Sequence, residues 1–541
     1  MDLSRDQLSS ATTNHRIFHL LCPTLCPLSM MLLEFPNELL QNIAFEADQR
    51  SRKRLRQTCK IFRDVCTPLV FMYISLPEDR YTWRGAPESV RLPFITALSS
   101  GSELARHIKH LSVEIVERDD LDYAPPSSIK EVKERKRVDD EKIFNRLFVD
   151  AIPSMLSLQS LDLSAWGPAP SGNVELMFAQ FGDLPRLSKL SLRLSRSWSI
   201  PCAQLRHIQD LRYAGPGGDG FLALIGDNHG LEIIDAYISD PRIPELKDGS
   251  SIFSLFRSFP PGTYSTVRKL TVGLRRHWSS VGPVNVTLQK YKAPALIPHL
   301  RHLQFLHTDF NVPNELWDGL REEGIHLTVL EYVCWRVELS LLSYLGSFTG
   351  LKELELQIKG PSEQDGVHLK FFLLNVVIPN AGCLTKVHIK PVMSGNWCLD
   401  HPMLDALVMC CHLESLYICS DRARTRLEPR YNVIDRTMAL LIDYWPHLSD
   451  LTIMTASLGT PTVGSTPKQI HSRVLVARFP YPSIDMLKTE IWTNFGHYSM
   501  KIHSRKKKVY TFKIKWLSCY GRKKCQRKWR FWRRSDPSDE E

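Results

Sequence analysis

The chain of 541 residues has no run of 18 apolar residues, so no membrane-spanning helix is expected. Its most apolar N-terminal stretch, 17–33, holds His19, Pro23 and Pro27 and has no strongly basic segment before it. That composition fits neither a span nor a secretory signal, and 1–30 reads as a disordered leader. Paired Cys-x-x-Cys units are missing as well. The thirteen cysteines are scattered, with Cys22-x-x-x-Cys26 and Cys410-Cys411-His412…Cys419 as the only groupings. Neither grouping has zinc-finger spacing, and no metal is expected. An odd count without a disulfide framework points to a reducing compartment, cytosol or nucleus.

Catalytic motifs are equally scarce. There is no Gly-x-Ser-x-Gly elbow, no His-Glu-x-x-His pair and no Walker loop. The nineteen histidines sit singly, several just before an apolar segment (His107, His110, His299, His302, His447), where packing accounts for them. One formal match to a nucleotide-binding loop exists, Gly215-x-Gly217-x-x-Gly220, with Asp235 some 20 residues beyond its first glycine. A dinucleotide-binding strand is buried on both faces, whereas Gln209, Asp210 and Arg212 interrupt the apolar positions before Gly215. A tight turn between repeats explains the glycines better, so neither a cofactor nor an enzymatic activity is expected.

Acidic residues are absent from 501–534, which holds fifteen Lys or Arg. The last seven residues carry four acids, and the whole chain has a net charge of +11, so residues 1–500 are neutral overall. The basic character therefore belongs to a tail, 501–541, expected to be disordered. Its clusters, Arg505-Lys506-Lys507-Lys508 and Arg522-Lys523-Lys524, are candidate nuclear-import addresses. Interleaved with Trp516, Trp529, Phe531 and Trp532, they also offer phosphate and base contacts, making nucleic acid a candidate partner of the tail.

What the chain has in abundance is one recurring pattern, apolar-x-x-apolar-x-apolar. It starts at Ile108/Leu111/Val113 and returns at Leu158, Leu187, Ile208, Leu231, Val267, Leu300, Leu327, Leu351, Leu384, Leu413 and Leu448. From Leu158 to Leu448 ten intervals cover 290 residues, an average of 29 within a spread of 21 to 36. Each unit points alternate apolar residues into a shared core and returns through a helix or turn, as 144–155 and 371–377 do. The pattern resembles a leucine-rich repeat, which implies an α/β solenoid over 77–500 with a charged insertion at 117–142. The residues between the inward ones face outward: Asp162, Arg193, Arg212, Asp235, Gln304, Glu331, Glu355, His388, Tyr417 and Thr452. They mix both charges. Asp162 and Thr452 aside, they are the candidate substrate-binding residues, although no substrate class follows from them.

Ahead of the repeats, Phe35-Pro36-Asn37-Glu38-Leu39-Leu40 opens a helix, since Pro36 suits a first turn and Leu39, Leu40 and Ile43 share one face. Leu55, Cys59, Phe62 and Cys66 recur at steps of four, three and four, predicting a second helix, and Pro68 opens a third apolar segment, Leu69 to Ile74. Helices this short cannot bury all their apolar side chains among themselves. The order resembles the F-box: Phe35-Pro36, then Glu38-Leu39-Leu40, then Thr58-Cys59-Lys60-Ile61-Phe62. It departs from that family in Phe35, in Thr58 and in the polar run 46–53. The resemblance implies a three-helix F-box at 31–76 followed by an irregular leucine-rich-repeat-like α/β solenoid. It also implies a non-catalytic substrate-recognition adaptor of a Skp–cullin–F-box ubiquitin ligase. Its partners would be a Skp-family adaptor with its cullin–RING ligase and an unknown target protein. The adaptor-binding residues would be Phe35, Pro36, Leu39, Leu40, Ile43, Leu55, Cys59 and Phe62. The alternatives are a repeat scaffold without any ligase link and a nuclear nucleic-acid-associated protein acting through its basic tail.

Overall fold

The computed structural model describes residues 36–76, 91–116, 129–166, 173–195, 205–216, 218–238, 255–274, 293–421, 433, 436–437, 440, 444–456, 486–493, 496–503, 511–515 and 526–530. The chain divides into two compact units, Met1–Arg206 and His207–Glu541.

The first unit opens with three helices, α1 (Asn37–Glu46), α2 (Gln49–Leu55) and α3 (Lys60–Phe71). The single helix expected over Leu55–Cys66 is thus split. Thr58 is the reason: its hydroxyl donates to the Leu55 carbonyl at 2.7 Å and closes α2, and Cys59 restarts the chain as an extended N-cap. Pro68, expected to begin a new element, lies inside α3, where it gives up one helical hydrogen bond without ending the helix. Leu40, Ala44, Phe62, Cys66 and Val70 form the core of this helical module. No residue of α2 is buried. That helix is instead held by polar ties: Asp48 caps it by accepting from the Ser51 N–H at 2.7 Å, and Arg52 donates to the Ala44 carbonyl at 2.8 Å and to that of Phe45.

Strand β1 (Tyr73–Leu76) follows directly, then α4 (Arg91–Ser99), β2 (His110–Val116), α5 (Ile129–Ala151), β3 (Ser160–Trp166), α6 (Asn173–Gly182) and β4 (Lys189–Leu194). The four strands are parallel in chain order, and their buried row runs Leu76, Val113, Leu163, Leu192. Helix α5 begins well inside the charged insertion and runs 23 residues, and its Phe144 and Phe148 stack at 6.0 Å over the core.

The second unit repeats the scheme. Its strands are β5 (Asp210–Gly215), β6 (Ile233–Ile238), β7 (Lys269–Leu274), β8 (Phe305–Thr308), β9 (Val329–Cys334), β10 (Glu353–Ile358), β11 (Lys386–Pro391), β12 (Ser415–Ser420) and β13 (Asp450–Thr455). All pair in parallel, each with the next, as a solenoid-like stack requires. Leu211, Ile234, Leu270, Leu306, Leu330, Leu354, Val387, Leu416 and Leu451 make one continuous buried row across nine strands. Returning helices include α7 (Asp219–Asp227), α8 (Ala293–Leu296), α9 (Asn314–Glu322), α10 (Leu339–Leu345), α11 (Asp365–Phe372), which continues as a π-turn over Leu373–Val377, and α12 (His401–Val408). Strand β14 (Met486–Thr493) adds in parallel to β13, and β15 (Gly496–His503) turns back antiparallel on it. Within the tail, β16 (Thr511–Lys515) and β17 (Gln526–Arg530) pair antiparallel, where the sequence led us to expect no regular structure.

Buried polar groups pin the returns. Asn380 accepts from the N–H groups of Gly350 (2.8 Å) and Leu351 (3.0 Å) and donates to the Val376 carbonyl at 2.9 Å. Asn228 does the same job for Ile208. The Tyr344 hydroxyl joins the Ile325 carbonyl to the Leu327 N–H. Each bond satisfies a backbone group that a buried turn would otherwise leave unpaired.

Candidate interaction surfaces

Two surfaces carry the residues singled out from the sequence. On the helical module, burial divides the expected adaptor-binding set. Leu40 (0% exposed) and Phe62 (4%) are core, so they build the module and do not face a partner. Leu55 and Cys59 are half-buried against that core. Leu39 and Ile43, one turn apart on α1, are 47% and 42% exposed, and Phe45 near its end is 63% exposed. Pro36 is exposed at the head of α1, and Phe35 lies outside the described residues. A groove runs between α1 and α3, with Asn37, Gln41 and Phe45 on one wall and Ile61, Val65, Pro68 and Leu69 on the other. Phe45 gave no sequence signal because it falls off the Leu39/Ile43 face. Burial raises the pKa of the Cys66 thiol, which keeps it a packing residue.

The second surface is the outward face of the strands in the second unit. Arg212, Asp235, Thr271, His307, Glu331, Glu355, His388, Tyr417 and Thr452 form one row of paired positions, of which Thr271 and Thr452 are buried. Gln304 is not among them. It precedes β8, and His307 holds the place expected of it. The reason is Thr308, a hydroxyl residue at a fully buried position that satisfies itself by donating to the Phe310 carbonyl at 3.2 Å. A polar residue there hid the true unit, Leu303/Leu306/Thr308, behind Leu300/Leu303/Phe305. In the first unit, Arg193 lies beside Asp162 at 3.3 Å, and Asp162 also accepts from the Ser191 hydroxyl at 2.9 Å. The basic clusters 505–508 and 522–524 lie outside the described residues.

Between β8 and β12 the outward row becomes a linked ion-pair network. His307 Nδ1 and Glu331 Oε2 are 3.0 Å apart, and Lys386 Nζ reaches Glu331 at 3.2 Å, Glu355 at 3.5 Å and Glu353 at 3.7 Å. Glu355 also bonds His388 Nδ1 at 3.0 Å and accepts from Lys390, whose ammonium lies 4.8 Å from the Tyr417 ring centre. Burial disfavours the Glu355 carboxylate, yet the His388 and Lys390 hydrogen bonds overcome it and bring its pKa down to about 2. Hydrogen bonding from His307, against burial, likewise lowers Glu331. Burial works against the Lys386 charge too, but Glu331, Glu355 and Glu353 hold its pKa above the usual range. Lys386, Glu353 and Lys390 share this face two places from the middle outward position of their strands, where a repeat of apolar residues carries no mark. Asp235, at the other end, has its pKa raised by burial against the pull of Arg212 and Lys269.

Aromatic residues flank this network. Tyr237 packs on Gly273, where an added Cβ would come within 2.7 Å of its ring. Trp335, 42% exposed, packs on Gly360 in the same way at 2.6 Å. The face therefore offers fixed charges beside exposed rings.

No family model matches the chain, and no curated protein matches it either. Among solved structures, it is similar to one described as the crystal structure of the Rad7 and Elc1 complex in yeast. The similarity is 12% identity over 86% of this chain and 97% of that one, with a TM-score of 0.37. Among the described residues, no helix is long and apolar enough to cross a membrane.

Proposed function

We propose that the chain is a non-catalytic substrate-recognition adaptor of a Skp–cullin–F-box ubiquitin ligase. In this reading the helical module docks a Skp-family adaptor and the repeats hold a target protein. The observation that carries the proposal is the division of leucines on α1. Leu40 and Ala44 complete a core of their own, while Leu39 and Ile43 are left half in water one turn apart. An apolar stripe that its own module does not need is what a partner helix would cover. Ubiquitin transfer then belongs to other subunits, and this chain contributes local concentration and orientation of the target. The charged and aromatic outward face of β8–β12 is the target-binding surface in the same reading. Affinity purification of the tagged chain tests the proposal: recovery of a Skp-family adaptor together with a cullin supports it. Recovery of other partners with neither of those would reject it in favour of a free-standing repeat scaffold.

A further inference from the structure

Helix α2 is unusual in having no fully buried residue while crowding like charges. The sequence 36–76 carries seven basic and four acidic residues, and five of the basic ones, Arg50, Arg52, Lys53, Arg54 and Arg56, fall within 50–56. Arg50 and Arg54 stand four residues apart, as do Arg52 and Arg56, spacings at which like charges on a helix repel. Two of the five have work inside the module. Arg52 holds the last carbonyls of α1, and Arg56 donates to the Thr67 hydroxyl at 3.1 Å and lies 5.0 Å from the Phe71 ring centre. Arg50, Lys53 and Arg54 are exposed and make no ion pair among the described residues. Only Ala47 and Asp48 separate α1 from α2, and Arg52 ties the start of α2 to the end of α1 that bears Ile43. The three exposed cations therefore follow within eleven residues of Ile43, on a helix tied to the end of α1 that bears it.

We infer that Arg50, Lys53 and Arg54 form the ionic half of the adaptor-docking surface and take a partner face rich in carboxylates. This rests on the adaptor reading above and adds the charge of the face the partner must present. A partner's acids would relieve the self-repulsion of α2, while Leu39 and Ile43 bury against apolar residues alongside. A phosphate backbone suits the site less well. It offers nothing to the apolar stripe, and the exposed Glu46 and Asp48 at the helix junction oppose its uniform charge.

The test compares association of the full chain with a purified Skp-family adaptor at about 0.05 M and about 0.5 M salt, where screening shortens from over 10 Å to about 4 Å. The variants are Arg50→Gln/Lys53→Gln/Arg54→Gln, which keeps Arg52 and Arg56, and Leu39→Ala/Ile43→Ala. Thermal melting of each establishes that it is folded. The glutamine variant should associate on the order of tenfold more slowly than wild type at low salt and equally at high salt, because rim charges act mainly on encounter rate. The alanine variant should dissociate faster at both salts. Wild-type association rates in the glutamine variant at low salt, with the alanine variant weakened, would overturn the inference and leave the adaptor reading standing. So would loss of binding to a fluorescent DNA duplex in the glutamine variant with adaptor kinetics unchanged. No binding of the adaptor by wild type would remove the adaptor reading and this inference together.

Discussion

Replacing Glu355 by Gln removes one charge from the middle of the ion-pair network and leaves its shape. The side chain is 25% exposed and pairs with Lys386, His388 and Lys390. Its pKa is about 2 against an ordinary 4.5. A difference of that size corresponds to roughly 3 kcal/mol in a dry site. Part of the group meets water, so screening reduces it to about 2 kcal/mol. The variant should thus lose about 2 kcal/mol at neutral pH, or roughly 4 °C in melting temperature for a unit of this size. This departs from the sequence alone, on which an outward Glu355 substitution is expected to be nearly silent. The pH dependence gives a second check. A carboxylate whose folded pKa is depressed stabilises the fold above its unfolded pKa, and that contribution disappears as pH falls toward the folded value. Urea titrations of wild type and Glu355→Gln should show a constant gap above about pH 5.5 that falls to under half by about pH 3. A gap below about 0.5 kcal/mol at neutral pH, or one unchanged at pH 3, would refute the reasoning.

Leu354→Asp puts a carboxylate into a row that is fully buried on both neighbouring strands, and should cost about 4 kcal/mol or more and unfold the adjoining repeats. Proteolysis within 329–391 at neutral pH reports it, and wild-type resistance there would reject the strand register. Asn380→Ala leaves the buried N–H groups of Gly350 and Leu351 without their acceptor and should lower stability by about 2–4 kcal/mol, measured by urea unfolding.

The repeat architecture was legible because its signal is repeated. In each unit, Leu111 to Leu190 in the first and Leu211 to Leu451 in the second, the inward residues follow alternation so closely that a buried row could be read from spacing. The exception shows the limit: Thr308 satisfies its own hydroxyl in the core, and a period of apolar residues cannot see that. Helix boundaries failed for a similar reason. Thr58 ends α2 through one side-chain bond, and Pro68 sits within α3, both local choices that a repeat of leucines does not record. On the candidate surfaces, position was readable and burial was not. Leu39 and Leu40 look equivalent in sequence, yet packing against Phe62, Cys66 and Val70 takes only Leu40 inside. The network around Glu355 depends on strand pairing between residues 24 to 55 apart, so no local pattern contains it.

The most direct measurement of the central claim is the equilibrium affinity of the purified chain for a Skp-family adaptor, compared among wild type, Leu39→Ala/Ile43→Ala and Leu40→Ala. Leu39 and Ile43 are half-exposed, so covering them is worth about 1 kcal/mol each. Removing both should weaken binding about thirtyfold while leaving the melting temperature unchanged. Leu40→Ala should instead lower thermal stability by about 2–4 kcal/mol, since it opens a cavity in the module's core. Unaltered affinity in the Leu39→Ala/Ile43→Ala protein would contradict the account.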